Sequence, residues 1–371
     1  MNLLVTILFV FLGLYALLLI WLATGFLKED YFKMHEDSSA LPVTIIICAR
    51  NEARFLPYCL NTIMNQQYEK SAIEILFVND ASTDNTLTIA SDILGASGIK
   101  HRIMNNASRL GKKKSLAAAI GMASNELIIT RDADSFCLSQ LWLKSISDFY
   151  ARYPSDMIIA PVALTENKGL MWALQAIENN ILALVACGSN AYKKPFLCSG
   201  ANLVFTKQAY SKTEGYKNHE HIESGDDVLF LNDLRKIPGS VIRYLKHREA
   251  IVHTFPQFSL GNLLQQKIRW ASKFKTGGSS VNFSLAILSF IANAGWLFCL
   301  LYGFIRPQNN ALTLVFVVGK LVVDILLLLV VSGFIKSKSL IWYSLPVGFI
   351  YPVYTCMVGL GALFLKPVWK R

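Results

Sequence analysis

Two apolar regions, one near each end of the chain, limit most strongly what this sequence can fold into. Residues 3–26 include no charged side chain, and about 20 apolar residues are enough to cross a bilayer as a helix. Residues 281–305 and 311–332 are apolar runs of similar length. Hydrophobic residues form 53% of the chain and charged residues only 16%, against about 25% in soluble domains. We therefore predict a membrane protein, which excludes a disordered chain and argues against a fully soluble one.

Alternatives remain for individual apolar runs. A cleaved signal peptide would have a basic start and a shorter apolar core, so we predict that the first run is an uncleaved helix. A further run, residues 340–365, contains Pro346 and Pro352 and fits either a kinked span or a re-entrant segment. Lys320 and Asp324 lie four residues apart in a span and are predicted to neutralise each other; binding a lipid head group is the less favoured interpretation.

The surplus of basic residues predicts partners that carry negative charge. Lys and Arg number 36 against 25 Asp and Glu, a formal charge of +11, which suits membrane lipids or phosphates. Basic residues near the ends of the first two spans lie on the side of the intervening domain, at Lys28, Lys33, Lys267, Arg269, Lys273 and Lys275. We therefore expect a cytoplasmic domain on a cell (inner) membrane protein. Lys366, Lys370 and Arg371 would lie outside after a full fourth crossing, so the orientation of residues 340–371 stays open.

Between the apolar regions the sequence has the pattern of an α/β domain. Short β-branched runs, read as buried strands, occupy residues 43–48, 74–78 and 126–130. Stretches with helical spacing occupy residues 55–67, 86–95 and 113–124. Strands that alternate with helices predict a mostly parallel sheet. The predicted organisation is a transmembrane helix at 1–27, an α/β domain at 28–257, an interfacial amphipathic segment at 258–276 and a C-terminal membrane region at 277–371.

The seven cysteines show no C-x-x-C pairing and their number is odd. Buried thiols in a reducing compartment are the simplest explanation, and the spacing argues against a zinc site.

Polar residues follow the first two predicted strands. Ligands of open parallel sheets bind beyond the carboxyl ends of the strands, and there the chain reads Cys48-Ala49-Arg50-Asn51-Glu52 and then Asn79-Asp80-Ala81-Ser82. Asp80 could accept a hydrogen bond from a nucleobase or a ribose. The alternative is an ordinary capped turn before each helix.

A pair of carboxylates follows the third predicted strand. Asp132 and Asp134 are spaced i, i+2 and could hold a hard divalent cation, with a nucleotide diphosphate supplying further oxygens. A solvated pair in a loop is the alternative. Because three strands end in polar residues in register, we favour the functional interpretation.

Two further segments combine charge with a predicted helix start. Lys112, in a run of three lysines after Gly111, could bind phosphate or belong to a solvated basic face. Asp226 and Asp227 begin a helical pattern, where a carboxylate could act as a general base towards a hydroxyl, or favour the helix N-terminus.

Gln266, Arg269 and Trp270 form a Gln-x-x-Arg-Trp pattern in the amphipathic stretch.

Taken together, these motifs resemble the family 2 glycosyltransferases, membrane-bound inverting enzymes with a GT-A fold. The resemblance covers residues 43 to 270 and implies that Ala49, Arg50, Glu52 and Asp80 hold the nucleoside. It also implies that Asp132 and Asp134 bind a divalent metal and the donor diphosphate, and that Asp227 is the catalytic base.

The resemblance assigns the remaining motifs as well. Gln266, Arg269 and Trp270 match the family's Q-x-x-R-W motif, which touches the donor pyrophosphate and the acceptor end. We add Lys112 to the expected donor site. The sugar and acceptor pocket is expected to be lined by Ser199, Gly200, Ala201, Asn202 and Asp226.

This sequence also departs from the family pattern. Asn79 stands where a first Asp is common, Ala81 replaces a Gly, and Asp226 replaces a Glu. The family often has a Glu two residues before a proline; here that proline is Pro256 and the residue is Thr254. For the neighbouring His253, a structural role is favoured over metal binding. These departures weaken the substrate assignment more than the activity.

The resemblance implies transfer of a sugar, with a UDP-sugar as the expected donor and Mg²⁺ or Mn²⁺ as the cofactor. With three or four spans, a single transfer to a lipid-linked or glycan acceptor is favoured, and a short-chain processive polysaccharide synthase is the alternative. A nucleotidyltransferase would need a Gly-rich loop after the first strand, which is missing. A non-catalytic scaffold of a glycan export complex is the alternative of another class. Nucleic acid is not an expected partner.

Overall fold

The computed structural model describes residues 2–35, 39–216, 225–272, 280–305 and 310–365. It divides into two compact units. One, here called the sheet unit, comprises Glu29–Thr165 and Ser189–Phe255. The other, the helical unit, comprises Met1–Lys28, Glu166–Gly188 and Pro256–Arg371. Residues 166–188, which the sequence pattern groups with the α/β domain, thus belong with the apolar helices.

The sheet unit is built on a seven-stranded sheet with the order β3-β2-β1-β4-β8-β6-β9. The first four strands in the chain run parallel, whereas β8 is antiparallel to both of its neighbours. A small second sheet has the order β5-β10-β7. The strands are β1 Val43–Ala49, β2 Ile73–Asn79, β3 Lys100–Asn105, β4 Leu127–Asp132, β5 Ser135–Cys137, β6 Met157–Ile159, β7 Val162–Leu164, β8 Leu203–Thr206, β9 Ile242–Tyr244 and β10 Val252–Thr254.

Helices cover the sheet and form the helical unit. They are α1 Asn2–Lys28, α2 Leu56–Met64, α3 Thr86–Gly95, α4 Lys112–Met122, α5 Trp142–Arg152, α6 Leu170–Ala191, α7 Lys207–Lys212, α8 Asp226–Leu234, α9 Leu260–Ser272, α10 Ser280–Ile305, α11 Asn310–Ile335 and α12 Leu340–Phe364. The three strands and the three helices predicted for the first half of the domain are all present, so the α/β fold class is confirmed. The cysteines form no disulfide in the structure; all seven lie in the described ranges.

Within the described ranges, five helices are long and apolar enough to cross a membrane: α1, α6, α10, α11 and α12. Both ends of α6 lead into the sheet unit, towards β7 and β8. α12 continues through Pro346 and Pro352 as one helix of 25 residues, long enough to cross a bilayer.

Three of these candidate spans, α1, α10 and α11, contribute side chains to one polar cluster. Lys320 is fully buried and lies 2.8 Å from Asp324, as the sequence predicts. Asn293 of α10 accepts a second bond from the Lys320 ammonium, at 2.7 Å. The hydroxyl of Tyr15 donates to Asp324 at 2.9 Å, so α1 packs as part of the helical unit.

Candidate active site

The three polar strand ends lie at one edge of the main sheet. β1 pairs in parallel with both β2 and β4, and Cys48 is the register partner of Asp132 while Ala49 is that of Asn79. The carboxyl ends of these strands therefore open to the same edge. This is the edge at which ligands of open α/β sheets bind.

The loops after β1 and β2 are tied to each other. Arg50 Nη1 donates to the backbone oxygens of Asp80, at 2.8 Å, and Ala81, at 2.9 Å. Asn51 N donates to Ser82 Oγ at 3.1 Å. Asn51 and Ala81 both have positive φ angles, 55° and 54°, a conformation that non-glycine residues adopt only when their surroundings hold it. The two loops thus form one pre-shaped surface rather than two independent capped turns.

Asp80 organises the loop that leads into α4. Its carboxylate accepts bonds from Asn106 Nδ2 at 2.9 Å, Leu110 N at 2.8 Å and Gly111 N at 3.0 Å. The residue is 5% exposed. Gly111 has a φ of 86°, which favours glycine at this turn. In this structure Asp80 positions the approach to α4, so its predicted contact with a nucleoside remains a proposal.

Lys112, the first residue of α4, lies between carboxylates that are distant in the sequence. Its ammonium is 2.6 Å from Asp132 Oδ1 and 3.6 Å from Asp226 Oδ2. Burial opposes the charge, but Asp132, Asp226 and Asp227 together raise the pKa of Lys112 well above its usual value. The lysine is therefore a permanent cation at this edge of the sheet.

Asp227 is held by two backbone N–H groups. Gly200 N donates to Asp227 Oδ2 at 2.9 Å, and Val228 N donates to Oδ1 at 2.8 Å. A Cβ on Gly200 would lie 3.4 Å from the Lys112 ammonium and 3.5 Å from Asp226 Oδ2. The predicted acceptor segment thus packs directly on the predicted base, and the carboxylate is oriented before any substrate binds.

The four residues of that segment play different parts. Ser199 Oγ accepts from Ala201 N at 3.4 Å, closing a short turn. Asn202, in contrast, is fully buried. Its Oδ1 accepts from Trp142 Nε1 at 3.1 Å, and its Nδ2 donates to two backbone oxygens at 2.8 Å. The amide of Asn202 is thus committed inside the core and fixes the segment, and its predicted place in the acceptor pocket stays a proposal.

Asp132 and Asp134 are both partly exposed at the end of β4. Within the described ranges no group of three His, Cys, Asp or Glu side chains could hold a metal ion by itself. Two carboxylates suit a divalent cation whose shell is completed by ligand oxygens, and the metal site stays a proposal. His253 lies on β10, opposite Phe136 in the register, and burial lowers its pKa, which supports a structural role.

Gln266, Arg269 and Trp270 lie on α9, in the helical unit. Their i, i+3, i+4 spacing places them on one face of the helix. Gln266 and Arg269 are half-buried and Trp270 is 39% exposed. Leu263, Lys267 and Ile268 form the buried side. A buried lysine within the motif gave no signal in the sequence.

An α/β sheet with a carboxylate pair after its fourth strand and a backbone-held aspartate at a helix start defines a GT-A type domain. Residues 44–213 match the family model described as Glycosyl transferase family 2. The chain therefore carries a glycosyl transferase family 2 domain. This match confirms the family resemblance seen in the sequence. It also confirms the prediction that the domain is of a glycosyltransferase family.

Named relatives agree with this assignment. Poly-beta-1,6-N-acetyl-D-glucosamine synthase of Staphylococcus epidermidis is 23% identical over 297 residues, which are 74% of this chain and 68% of that protein. The 4,4'-diaponeurosporenoate glycosyltransferase of Staphylococcus haemolyticus is 27% identical over 210 residues, 53% of this chain and 52% of that protein. The chain spans between about half and two thirds of the length of the first curated relatives that it matches.

A solved structure shares the fold. The mannosyltransferase PcManGT from Pyrobaculum calidifontis, in complex with GDP-Man and Mn²⁺, superposes with a TM-score of 0.59. The two chains are 16% identical, and the match covers 98% of each. At this identity the likeness establishes the GT-A fold and no substrate.

Proposed function

We propose that this protein transfers a sugar, with inversion, from a nucleotide-diphosphate donor to a lipid-linked or glycan acceptor. The expected donor is a UDP-sugar, and the expected role is glycolipid or polysaccharide synthesis for the cell envelope. One observation carries the proposal: Asp227 is oriented by Gly200 N and Val228 N beside Lys112 and Asp132, at the ligand edge of the sheet.

In the proposed reaction Asp227 accepts the proton of the acceptor hydroxyl. The hydroxyl oxygen forms a bond to the anomeric carbon from the face opposite the nucleotide, and the bond from that carbon to the diphosphate oxygen breaks. The nucleoside diphosphate leaves with the bonding electrons. Asp227 suits this step because both of its oxygens are already positioned and solvent reorganisation is small.

Positive charge for the departing diphosphate would come from several groups. Lys112 is a permanent cation, and Arg269 has this role in the family that the chain resembles. Asp132 and Asp134 would hold Mg²⁺ or Mn²⁺, which when bound supplies a Lewis acid for the diphosphate oxygens. The Mn²⁺ of PcManGT supports this choice of cation for the fold.

The acceptor is proposed to be presented at the cytoplasmic face of the cell membrane. Basic residues lie at or shortly after the ends of α1 and α11, consistent with cytoplasmic loops: Lys28 ends α1, Lys33 follows it, and Lys336 and Lys338 follow α11. Four spans favour a single transfer. The alternative, a short-chain processive polysaccharide synthase, is supported by the match to a poly-N-acetylglucosamine synthase over 74% of this chain.

The test is a donor and acceptor screen on the full chain in lipid nanodiscs. Labelled UDP- and GDP-sugars are incubated with Mn²⁺, Mg²⁺ or EDTA, and with either membrane lipid extract or short glycans. We expect metal-dependent release of a nucleoside diphosphate and label in the lipid fraction. Label in a growing glycan would select the processive alternative, whereas no metal-dependent binding of any nucleotide sugar would select the scaffold and contradict the proposal.

A further inference from the structure

A buried ion pair joins α9 to α6, and its lysine lies within the Gln-x-x-Arg-Trp segment. Lys267 Nζ is 2.6 Å from Glu178 Oε2, with side-chain exposures of 9% and 18%. A charged pair removed from water to this extent is maintained only by good geometry, and loss of one partner leaves the other buried and uncompensated. The pair therefore fixes where α9 lies within the helical unit.

Two further contacts restrain the same turn of α9. The ammonium of Lys267 also lies 4.3 Å from the centre of the Trp270 ring, a cation–π contact with a motif residue. Tyr354 of α12 donates its hydroxyl to Glu178 Oε2 at 3.4 Å. One carboxylate thus connects α9, α6 and α12.

Packing and a backbone clamp complete the restraint. A Cβ at Gly361 of α12 would lie 2.5 Å from Ile268 Cδ1, so the Ile268 side chain packs directly on the backbone of α12. Ahead of α9, Gln175 of α6 accepts from Gln257 N at 2.8 Å and donates to Gln257 O at 3.1 Å. Rotation or sliding of α9 is therefore opposed at both ends.

We propose that Glu178, together with Lys267 and Tyr354, positions the face of α9 that carries Gln266 and Arg269. The inference rests on the proposed function, in which Arg269 acts on the donor diphosphate. Lys267 lies between these two motif residues in the sequence. Because a helix moves as a unit, a shift of α9 after the loss of the Lys267–Glu178 pair displaces both Gln266 and Arg269. Misplacement by about 1 Å can lower a rate on the order of 100-fold. These three are positioning residues, not catalytic ones.

The test is a double-mutant cycle on the full chain in nanodiscs. Glu178→Ala, Arg269→Ala and the double variant are compared for kcat and KM of nucleotide release and for binding of UDP with Mn²⁺; GDP replaces UDP if the donor screen selects it. We expect each single variant to lower kcat/KM about 10- to 100-fold. We expect the double variant to match Arg269→Ala within about 2-fold, because Glu178 acts through Arg269.

Controls separate positioning from general stability. Asn180→Ala, two residues from Glu178, removes a 2.7 Å bond from α6 to Ser337 and should keep kcat/KM within about 2-fold. Lys267→Arg, which preserves the charge, should retain more activity than Lys267→Met. Glu178→Gln replaces Glu178→Ala if the latter fails to fold.

The outcomes distinguish the two levels of inference. Losses that multiply in the double variant, or a Glu178→Gln variant with wild-type kinetics, overturn the positioning role and leave the proposed function intact. An Arg269→Ala variant with normal kinetics and normal binding overturns both the role of the motif and the positioning role.

Discussion

The ammonium of Lys112 lies 2.6 Å from Asp132 Oδ1, the first carboxylate of the Asp-Ala-Asp motif. A cation of the protein thus neutralises a carboxylate that is expected to bind a metal ion. Because Asp226 lies on the other side of the same ammonium, at 3.6 Å, Lys112 links the expected metal site to the acid pair at the start of α8. If a metal ion and a diphosphate bind, Lys112 would exchange the Asp132 carboxylate for the diphosphate, which is also negatively charged.

Replacement of Lys112 should therefore separate metal binding from donor binding. We expect Lys112→Gln to bind Mn²⁺ several-fold more tightly without nucleotide, since the competing cation is gone, and to bind UDP with Mn²⁺ about 10-fold more weakly. Manganese titration followed by electron paramagnetic resonance measures the first effect, and calorimetry the second. The exposed Lys114, two residues along α4, supplies the control Lys114→Gln. Weaker Mn²⁺ binding by Lys112→Gln would contradict a competing role.

Substitution of Asp227 tests the base directly. Asn at this position can accept one backbone N–H bond but cannot take a proton, so we expect Asp227→Asn to lower transfer by about 10²- to 10⁴-fold with nearly unchanged donor binding. Asp233→Asn, on the same helix and paired with the exposed Lys236 at 2.8 Å, is the control. Near-normal turnover by Asp227→Asn would remove Asp227 from the mechanism.

The ligand edge of the sheet could be predicted because its signals are local. The strands β1, β2 and β4 are continuous buried runs, and parallel pairing brings their polar ends together. The strand β3 escaped prediction because it lies at an edge and most of its side chains are exposed, so it shows no apolar run. The strands β6, β8 and β9 have only three or four residues each. This is too few for an alternation of apolar and polar residues to be recognised in the sequence.

The sequence predicts neither the direction in which a side chain points nor contacts between residues that are far apart in the chain. Asn202 belongs to the predicted acceptor segment, yet its amide points into the core towards Trp142, and spacing alone does not fix that direction. Arg131 precedes the carboxylate pair and is buried, with its guanidinium 4.5 Å from the Trp142 ring. Glu178 and Lys267 are far apart in the chain, so only the fold reveals their contact.

The carboxyl group of Glu74 should make the sheet unit sensitive to acid. Burial opposes its ionisation, but hydrogen bonds from Lys100, Ser124 and Thr44 prevail and lower the pKa to about 2, from an ordinary value of 4.5. A lowered folded pKa stabilises the fold fully above pH 4.5, and the contribution is lost as the pH falls towards 2. The shift corresponds to about 3 kcal/mol.

We therefore expect Glu74→Gln to lower the free energy of unfolding by about 1–3 kcal/mol at pH 7. The difference from the wild type should shrink between pH 5 and pH 3, as the wild type loses its own contribution. Thermal unfolding of the full chain, followed by tryptophan fluorescence across this range, measures it. Glu69→Gln, on an exposed glutamate nearby, should leave the pH profile unchanged. A constant difference from pH 7 to pH 3 would contradict the assignment.

The buried pair of Lys320 and Asp324 should stabilise the helical unit without a part in transfer. Lys320 is fully buried and satisfied by Asp324 and Asn293, so Lys320→Met would leave Asp324 without its cation. Loss of one buried partner destabilises by about 3–5 kcal/mol, whereas an apolar replacement of both can be nearly neutral. We expect Lys320→Met to unfold at a lower temperature in detergent than Lys320→Met with Asp324→Leu, while kcat/KM of folded protein stays within about 2-fold for both. Equal destabilisation by the single and double variants would show that the pair contributes no net coupling.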